Sequence, residues 1–597
     1  MLNYLTPSYF MKKTLFFTLV LAGLSLQACS KDPFEINLPE VETSVTADDT
    51  LGENILTDNS EDHVSSATFE RTVKVTYSGS SASVDGATDD FSVSIDGAGV
   101  TLTNNGSEVV IYELSGSSSD GYFKLYSTRK QQLLLNGLTL TNTKGAAINN
   151  QSHKRTYVVV KGTNTLADGA SYTETPDDED EKAAFFSEGQ LVFSGDGSLT
   201  VNATGKAGIT SDDYVRFMDA PQVKVTSSAG HGVRGKEAII VSDGTIDVNV
   251  SGTGKKGFSS DTLVYFGGGV TTIKTTGSAG EVDGELTGVA GIKADLRFVM
   301  DDGTLTVTST GTGAKGISGD NVAYFNGGTV NVTASGANYG SSSSGGMGGF
   351  GPGMGGWGGQ SSSSDNSVAS KAIKFDGNLY ISGGQITAQS AKHEGLEAKG
   401  VIVVTGGEVS VTASDDAINA GGDLSIEGGA VFARSTGNDG IDANGNLYVK
   451  GGIVYAAGTG GAELAIDANS EAQKKLYITG GTVIAVGGME SGASIGQNCW
   501  SAGTVKADTD YALYDGSGTL LGVFKTPSVK NLALIISAPS LETVKYGVDV
   551  SGGTCFFDGL YTTGATVSGG NNCSLSTYTG GSSMGPGGMG GGPGWGW

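Results

Sequence analysis

The chain has 597 residues, of which 98 are glycine and only 10 are proline, and its formal net charge is −26. The low proline count excludes a collagen-like repeat, and 38% hydrophobic with 16% charged residues excludes a disordered polyelectrolyte. A surface this acidic repels phosphate backbones, so we expect no nucleic-acid partner, whereas cations and ligands bound through cations suit it.

The N-terminus has the pattern of a bacterial export signal. A Met-Lys-Lys tripeptide beginning at residue 11 precedes an apolar run over residues 15–26, which is too short for a membrane span and predicts a signal peptide over residues 1–28. The run ends in Leu-Gln-Ala-Cys, which resembles a lipoprotein cleavage box, so Cys29 is the predicted lipidation site. Lipidation there predicts a chain held at the bacterial outer membrane or cell surface by its lipid alone. An ordinary signal peptide followed by a chance cysteine is the alternative.

Two regions lie between this signal and the regular part of the sequence. Residues 29–68 are acidic and polar, which predicts a solvated linker. Residues 69–145 alternate between apolar and polar positions and echo the repeat described next, which predicts a β-rich N-terminal region that contains the first coils.

A small residue followed by an apolar anchor recurs through the middle of the chain. Eight of the eleven spacings between successive anchors are 22–25 residues, and the others are 34, 37 and 56. In the later units a Gly-Gly pair follows each anchor and leads into strict alternation, which predicts short strands joined by tight turns. The anchors are Ile148, Phe185, Ile209, Val233, Phe258, Ile292, Ile317, Ile373, Leu396, Ile418, Ile441 and Ile466.

Units this short cannot bury a face alone and must stack. Short strands at this period, without hairpin signals, predict an all-β fold, namely a right-handed parallel β-helix over residues 146–487 with 22–25 residues per coil. A β-propeller needs longer, four-stranded blades, and a calcium β-roll repeats every nine residues, so both are disfavoured.

The remaining segments interrupt or follow the repeat. A Gly/Ser/Met-rich stretch over residues 338–367 fills the longest spacing and predicts an insertion, and residues 580–597 form a tail of similar composition. Residues 488–579 lose the period and predict a small C-terminal β region that caps the open end of the helix. Cys499, Cys555 and Cys573 allow at most one disulfide, and their pairing stays open.

Positions beside the anchors become columns when coils stack, and their charge changes sign along the chain. In the coils up to the anchor Ile373 these columns contain Lys315, Lys371 and Lys374. From the anchor Leu396 onward the columns are acidic. Stacked carboxylates about 5 Å apart repel by roughly 3 kcal/mol per pair at an effective dielectric of 20. A bound Ca²⁺, which accepts irregular oxygen ligation, would relieve this repulsion. A solvated acidic edge with raised pKa values is the alternative.

A second column, before the Gly-Gly pairs, contains several tyrosines, including Tyr324 and Tyr380. By alternation these side chains point outward, and a line of tyrosine rings suits stacking on sugars. The equally weighted alternative is an aromatic stack that only covers its own sheet.

Three segments carry a resemblance to a known family. The sequences KHEGLE, SDDAIN and NDGID, which begin at Lys392, Ser414 and Asn438, each precede a Gly-Gly strand. They resemble the bacterial cell-surface family of carbohydrate-binding β-helix proteins, whose founding clostridial member is similar in fold to the family 9 pectate lyases. The resemblance implies Ca²⁺ on the β-helix, binding of acidic plant polysaccharides such as polygalacturonate, and no catalysis. The family's acidic motif falls on Glu394, Glu397, Asp415, Asp416, Asn419, Asp439 and Asp442.

Three functions follow as hypotheses. The first is a monomeric, surface-anchored, Ca²⁺-dependent and non-catalytic protein that binds uronate-containing polysaccharides. Its sugar contacts would be Lys315, Lys371 and Lys374 on carboxylates, and Tyr324 and Tyr380 on ring faces. The second is a pectate lyase-like enzyme that would use a lysine base such as Lys399 or Lys450. The third is an adhesin or structural surface rod that binds a protein.

Overall fold

The computed structural model describes residues 59–173, 179–340, 367–461 and 463–580. The predicted signal peptide and Cys29 lie outside these residues, as do residues 29–58 of the predicted linker, 341–366 of the insertion and 581–597 of the tail. None of the helices in the described ranges is long and apolar enough to cross a membrane.

The chain winds into a parallel β-helix of about 14 turns, which confirms the predicted fold class. Each regular coil contributes one short strand to each of three parallel ladders, and the apolar side chains of all three point into a common interior. We call these the first, second and third ladders, in the order in which each coil visits them from its anchor.

The first ladder carries the anchors. Its parallel strands are Ala98–Asn104, Gly121–Ser127, Ile148–Asn150, Ala183–Ser187, Ala207–Ser211, Val233–Gly235, Lys256–Ser260, Val289–Ala294, Ala314–Gly319, Ile373–Phe375, Leu396–Ala398, Ile418–Ala420, Ile441–Ala443 and Ile466–Ala468. Strand Phe91–Asp96 pairs antiparallel with the first of these. All twelve predicted anchors stand in one register column and are buried.

The other two ladders follow the same stacking. The second contains Thr156–Lys161, Leu191–Ser194, Tyr214–Phe217, Ala238–Val241, Val322–Phe325, Leu379–Ile381, Ile402–Val404, Leu424–Ile426, Leu447–Val449, Leu476–Ile478 and Ser494–Ile495. The third contains Thr163–Ala167, Ser198–Ala203, Gln222–Ser227, Thr245–Val250, Thr329–Ala334, Gln385–Ser390, Glu408–Ala413, Ala430–Ser435, Ile453–Ala457 and Thr482–Val486. The long strands Gln131–Thr141, Leu263–Thr275 and Arg297–Ser309 run through both ladders. Arg71–Ser78 and Val110–Ser118 lead into them in parallel, with Ser81–Asp85 antiparallel at the edge.

The small residue before each anchor is explained by packing inside the coil. A Cβ on Gly316 would lie 2.2 Å from Val332 Cγ1, and one on Gly395 would lie 2.2 Å from Val411 Cγ1. Side chains of the third ladder therefore fill the space that any larger residue at this corner would need. The Gly-Gly turns have a different cause, because the second glycine takes a left-handed conformation, with φ +81° at Gly407.

The end of the predicted linker is packed rather than solvated. Two short 3₁₀ turns, Ser60–Asp62 and Val64–Ser66, lie against the second ladder, and Asp62 is only 1% exposed. Its carboxylate lies 2.8 Å from Arg155 Nε and 2.7 Å from Arg216 Nε, and it accepts a hydrogen bond of 2.5 Å from the Tyr214 hydroxyl. A carboxylate with two buried cations and a hydroxyl donor is stable inside the protein, so the linker prediction is wrong for these residues.

The C-terminal region both ends the β-helix and covers its side. Strand Ala533–Ser537 pairs antiparallel with the last strand of the third ladder and with Cys499–Thr504, which in turn pairs with Ser576–Thr577. An antiparallel sheet follows the order Thr554–Phe556, Tyr561–Thr563, Leu520–Lys525, Asp510–Asp515, Leu541–Ser551 and Thr566–Asn572. It packs on outward residues of the third ladder, as Tyr455 and Phe524 show with ring centroids 5.9 Å apart. The region therefore does more than close the end of the stack.

A few short elements complete the described chain. A hairpin of Gly280–Val282 and Glu285–Thr287 fills the 34-residue spacing. The remaining 3₁₀ turns are Ser470–Ala472 and Phe557–Gly559. Among the described cysteines, Cys499, Cys555 and Cys573 are all free thiols.

Candidate functional site

The charged columns predicted from the repeat are continuous on the first ladder. Lys374, Glu397, Asn419, Asp442 and Asp467 occupy the same register position in five successive coils. Each directly follows a buried anchor, so alternation along the strand turns its side chain away from the core. The fold thus places basic and acidic side chains along one outer face, about 4.8 Å apart per coil.

The outer face changes from basic to acidic at Lys371, a position that we call the junction. Lys371 is itself paired with two carboxylates. Lys371 Nζ lies 3.1 Å from Glu394 Oε2 and 2.6 Å from Glu397 Oε2. Burial of Glu394 opposes its ionisation, but the hydrogen bond from His393 and the charge of Lys371 outweigh burial and lower the pKa of Glu394 to about 2. Glu394 and Glu397 were predicted as metal ligands, and here they carry a counter-ion from the protein itself.

Beyond this junction, no lysine, arginine or histidine in the described part of the chain forms an ion pair with Asp416, Asp439, Asp442 or Asp467. We call Asp416, Asp439, Asp442 and Asp467 the acidic patch. Asn419 lies within it and donates from Nδ2 to Asp416 Oδ2 at 2.8 Å and to Asp442 Oδ2 at 3.2 Å. The backbone N–H groups of Asp439 and Leu464 donate to Asp416 and Asp439 respectively.

The acidic patch is electrostatically strained. Burial raises the pKa of Asp416, and burial together with neighbouring carboxylates raises the pKa values of Asp439 and Asp442 to about 7 each. Burial and a hydrogen bond with Glu490 raise the pKa of Asp467 to about 9. Asp439, Asp442 and Asp467 therefore resist full ionisation at neutral pH unless a cation joins them. Carboxylate oxygens are the ligands that a hard cation such as Ca²⁺ prefers, whereas the Asn419 amide faces Asp416 and Asp442 with its nitrogen.

A second group of ligand atoms sits at the corner just before the first ladder. His393 Nδ1 lies 3.2 Å from Asp415 Oδ2 and contacts Glu394, and these three side chains bring one ligand atom each within 4.8 Å of one another. Asn438 donates to Asp415 Oδ1 at 2.9 Å. The Ser435 hydroxyl, which donates to the Asp415 carbonyl at 2.6 Å, holds this turn in place.

Two residues near these groups were not predicted from the sequence. His393 shares its register position with Asp415 and Asn438, three residues before the anchor, so column analysis extended by one position would have found it. Glu490 follows the last regular coil, where the period is lost, and no repeat signal points to it. Asp415, Asp416, Asn419, Asp439 and Asp442, by contrast, lie on the corner and face where the columns placed them.

The predicted basic contacts do not all offer a free charge. Lys371 is paired as described, and Lys374 Nζ lies 2.5 Å from Asp376. Lys399 shares Asp376 at 2.5 Å, an interaction that raises its pKa, and Lys450 lies 3.1 Å from Glu427. The raised pKa of Lys399 does not suit the role of a general base, and the ammonium group of Lys450 is engaged by Glu427.

The tyrosine column lies on the second ladder, away from the acidic patch. Tyr324 and Tyr380 stack with ring centroids 5.3 Å apart and an interplanar angle of 16°. They are 9% and 5% exposed, so their ring faces mainly cover each other. Tyr448 and Tyr477 form a second stack of the same kind, at 5.0 Å. The proposed role of Tyr324 and Tyr380 in sugar stacking stays a prediction.

Comparison with known proteins assigns the chain to a family. A family model described as carbohydrate-binding domain-containing protein matches residues 96–256, 300–417 and 358–522, which together span more than half of the chain. The chain belongs to this family. The matches cover most of the β-helix, including the acidic patch, and membership supports carbohydrate binding and a polysaccharide partner.

Two individual proteins are similar to parts of the chain. A carbohydrate-binding domain-containing protein from Acetivibrio thermocellus is 33% identical over 109 residues, which are 17% of this chain and 38% of that protein. The match thus spans well under half of the relative's length. The structure of a polysaccharide lyase-like protein from C. thermocellum, a gadolinium derivative, is 22% identical with a TM-score of 0.35, and the alignment covers 44% of this chain and 96% of that one.

Proposed function

We propose that this protein is a non-catalytic binding protein for acidic polysaccharides and that Ca²⁺ bound at the acidic patch mediates the interaction. The observation that carries the proposal is the patch itself, in which buried carboxylates on successive coils lack a counter-ion from the described residues. A cation held there by Asp416, Asn419, Asp439 and Asp442 would relieve their repulsion. The same cation would attract an anionic sugar that the bare carboxylates repel.

The ion pairs of Lys371 and His393 reduce the number of side chains that we propose as Ca²⁺ ligands. Glu394 and Glu397 share Lys371, whereas the corner carboxylate of Asp415 contacts His393. We therefore assign the main Ca²⁺ site in this proposal to Asp416, Asn419, Asp439 and Asp442, and a second site to His393, Glu394 and Asp415 at the corner. Uronate chains suit this face because their carboxylates recur about every 4–5 Å, close to the coil rise of about 4.8 Å.

Attachment to the bacterial surface belongs to the same proposal. The sequence before residue 59 contains the lipoprotein-like box at Cys29, and a lipid anchor there would hold the β-helix at the membrane without any spanning segment. Metabolic labelling with a palmitate analogue in a bacterial host, compared with a Cys29→Ala variant, tests this part separately from binding.

Calorimetry tests the Ca²⁺ site directly. The wild-type chain, an Asp416→Asn/Asp439→Asn variant and a matched control, Glu281→Gln/Glu285→Gln on the exposed hairpin, are titrated with Ca²⁺ after treatment with EDTA. Polygalacturonate is then titrated into each protein with and without Ca²⁺. We expect the first variant to lose at least tenfold in both affinities and the control to match wild type. Equal Ca²⁺ heats in all three proteins would refute the site.

A lyase is the second candidate, and one observation favours it. Burial, with the nearby charges of Lys374 and Lys371, lowers the pKa of Lys315 to about 8, which leaves part of this amine neutral and able to accept a proton. Incubation with polygalacturonate and Ca²⁺, followed by the absorbance of unsaturated uronates, distinguishes the two functions. We expect no product; steady product formation that a Lys315→Met variant abolishes would establish the enzyme instead.

A further inference from the structure

A cavity opens on the first ladder upstream of the acidic patch. Lys256, Ala290 and Lys315 occupy the same register position in three successive coils. The short side chain of Ala290 leaves a gap between the two lysines, whose backbones are about 10 Å apart across two coil steps. The result is a cavity of about 180 Å³, which we call the basic pocket. Its charged lining residues are Lys256, Lys293, Lys315, Lys374 and one carboxylate, Asp320.

The segment that follows the hairpin in the long coil lines this pocket. Its second strand ends at Thr287, and Gly288 follows directly beside Lys315. A Cβ built on Gly288 would lie 3.8 Å from Lys315 Nζ and 3.5 Å from Val368 Cγ1. Glycine therefore leaves open the space in front of the ammonium group that a larger side chain at position 288 would fill.

The charges of the basic pocket are only partly balanced. Lys293 pairs with Asp295 at 3.1 Å and also with Asp320, and Lys374 pairs with Asp376. Lys256 Nζ donates to the Gly254 carbonyl at 2.9 Å.

The two remaining ammonium groups have no counter-ion. Throughout residues 59–173, 179–340, 367–461 and 463–580, neither Lys256 nor Lys315 has a carboxylate within ion-pair distance. Burial and the surrounding lysines lower the pKa of each to about 8, as expected of partly buried cations without a counter-ion. Two such groups around one cavity are unexpected in a chain with 62 acidic residues.

We propose that the basic pocket binds one oxyanion group of a glycan, a uronate carboxylate or a sulfate ester, directly between Lys256 and Lys315 and without a metal ion. An ammonium group offers three donors and accepts none, so an anion with several oxygens can bridge both lysines. The cavity exceeds the space of about 30 Å³ that one water molecule occupies and accommodates a group of four or five heavy atoms. The identity of the ligand as a glycan rests on the proposed function, whereas the anion site itself does not.

This site differs in chemistry from the acidic patch. Binding at the patch requires Ca²⁺ and is lost with a chelator, whereas binding in the basic pocket persists in EDTA and weakens with added salt. The two sites lie on one face of the β-helix, so a single polyanionic chain that crosses the Lys371 junction would meet one metal-free and one metal-dependent contact.

The experiment uses the full chain in EDTA with three variants. Lys256→Met/Lys315→Met removes both cations, and Gly288→Leu fills the pocket while it retains them. Lys224→Met/Lys274→Met is the matched control, because both of these lysines are exposed on the third ladder and the change in net charge is the same. Circular dichroism and melting curves establish that each variant is folded.

Three probes distinguish the ligand sources. Inorganic sulfate is titrated against ¹³C-dimethylated lysines and followed by NMR, which reports on Lys256 and Lys315 independently of any glycan. Polygalacturonate supplies carboxylates and dextran sulfate supplies sulfate esters, and both are titrated by calorimetry at low salt.

We expect sulfate to shift the Lys256 and Lys315 resonances of wild type. We expect both pocket variants to bind the preferred polyanion at least tenfold more weakly in EDTA, while the control stays within twofold of wild type. If polygalacturonate shows the larger loss of affinity, the bound group is a carboxylate, and if dextran sulfate does, it is a sulfate ester. Wild-type affinity in the lysine variant would overturn the proposal, as would an unaffected Gly288→Leu variant, because binding would then reflect surface charge rather than the pocket. If sulfate shifts both lysines but no polyanion binds with or without Ca²⁺, the pocket stands and the proposed glycan function fails.

Discussion

The acidic patch should make the metal-free protein less stable as the pH rises towards neutrality, and Asp439 is the residue at which to test this. Burial and its acidic neighbours raise the pKa of Asp439 from 3.8 to about 7 in the folded chain. The folded state therefore keeps this proton up to about pH 7, whereas the unfolded chain loses it near its ordinary pKa. Because the folded state binds more protons, stability falls between about pH 4 and pH 7 and stays low above that range.

The size of the effect follows from the shift. A difference of about 3 pKa units at 1.36 kcal/mol per unit gives at most about 4 kcal/mol for Asp439 at pH 8. For roughly 500 ordered residues the entropy of unfolding is about 1 kcal/mol per degree, so the expected change in Tm is at most about 4 °C. Asp439→Asn cannot ionise, so in EDTA this variant should melt above wild type at pH 8 and together with wild type at pH 4.

Melting curves from pH 4 to 8, with EDTA or with Ca²⁺, supply the measurement. Saturating Ca²⁺ at pH 8 should raise the Tm of wild type more than that of Asp439→Asn, because the ion binds the ionised patch. A flat profile for metal-free wild type would show that the carboxylates are solvated and unstrained, and an equal decline in both proteins would show that Asp439 does not contribute to the decline. A decline that Ca²⁺ does not reverse would leave the strain in place but refute calcium as the ion that relieves it.

Two further predictions concern other parts of the fold. Asp62→Ala removes the carboxylate shared by Arg155 and Arg216, whose side chains are only 11% and 3% exposed, although Arg155 keeps its ion pair with Glu61. This change should cost about 3–5 kcal/mol in a denaturant titration. A loss below about 1 kcal/mol would mean that the N-terminal turns are not integral to the fold. Tyr380→Ala removes half of a buried ring stack and should lower the free energy of unfolding by about 3 kcal/mol. Its affinity for uronate chains, measured by calorimetry, should be unchanged. A folded variant that binds tenfold more weakly would instead show that sugar contacts the second ladder.

The repeat could be predicted because its cause is local. The small residue before each anchor is needed where side chains of the third ladder, such as Val332 and Val411, fill the corner. The corner holds glycine or alanine before all twelve anchors, which leaves a period that needs no knowledge of distant contacts. The columns of charge follow from the same register, which is why Asp416, Asp439 and Asp442 were expected on one face.

Contacts between different parts of the chain could not be predicted in this way. The C-terminal sheet covers the side of the third ladder, and the only sign of this in the sequence is that outward positions become apolar at Phe432, Tyr455 and Ile484. The inward positions of these strands are already apolar, so a few additional apolar residues at outward positions do not stand out in the sequence. Asp62 is a similar case, because its partners lie about 90 and 150 residues further along the chain and an isolated acidic residue in a polar stretch predicts only solvation.

The pairing of Lys371 decides how the two halves of the charged face can work. A column of lysines next to a column of carboxylates suggests a continuous strip on which an anionic chain pairs with one lysine after another. In the structure Lys371 is instead neutralised by Glu394 and Glu397, and Lys374 by Asp376. In our proposals, direct anion binding falls to Lys256 and Lys315, where Ala290 opens the column, and anion binding at the acidic patch requires an added cation. The same repeat can thus carry two chemically different anion contacts, because one small residue and one lysine at the junction separate them.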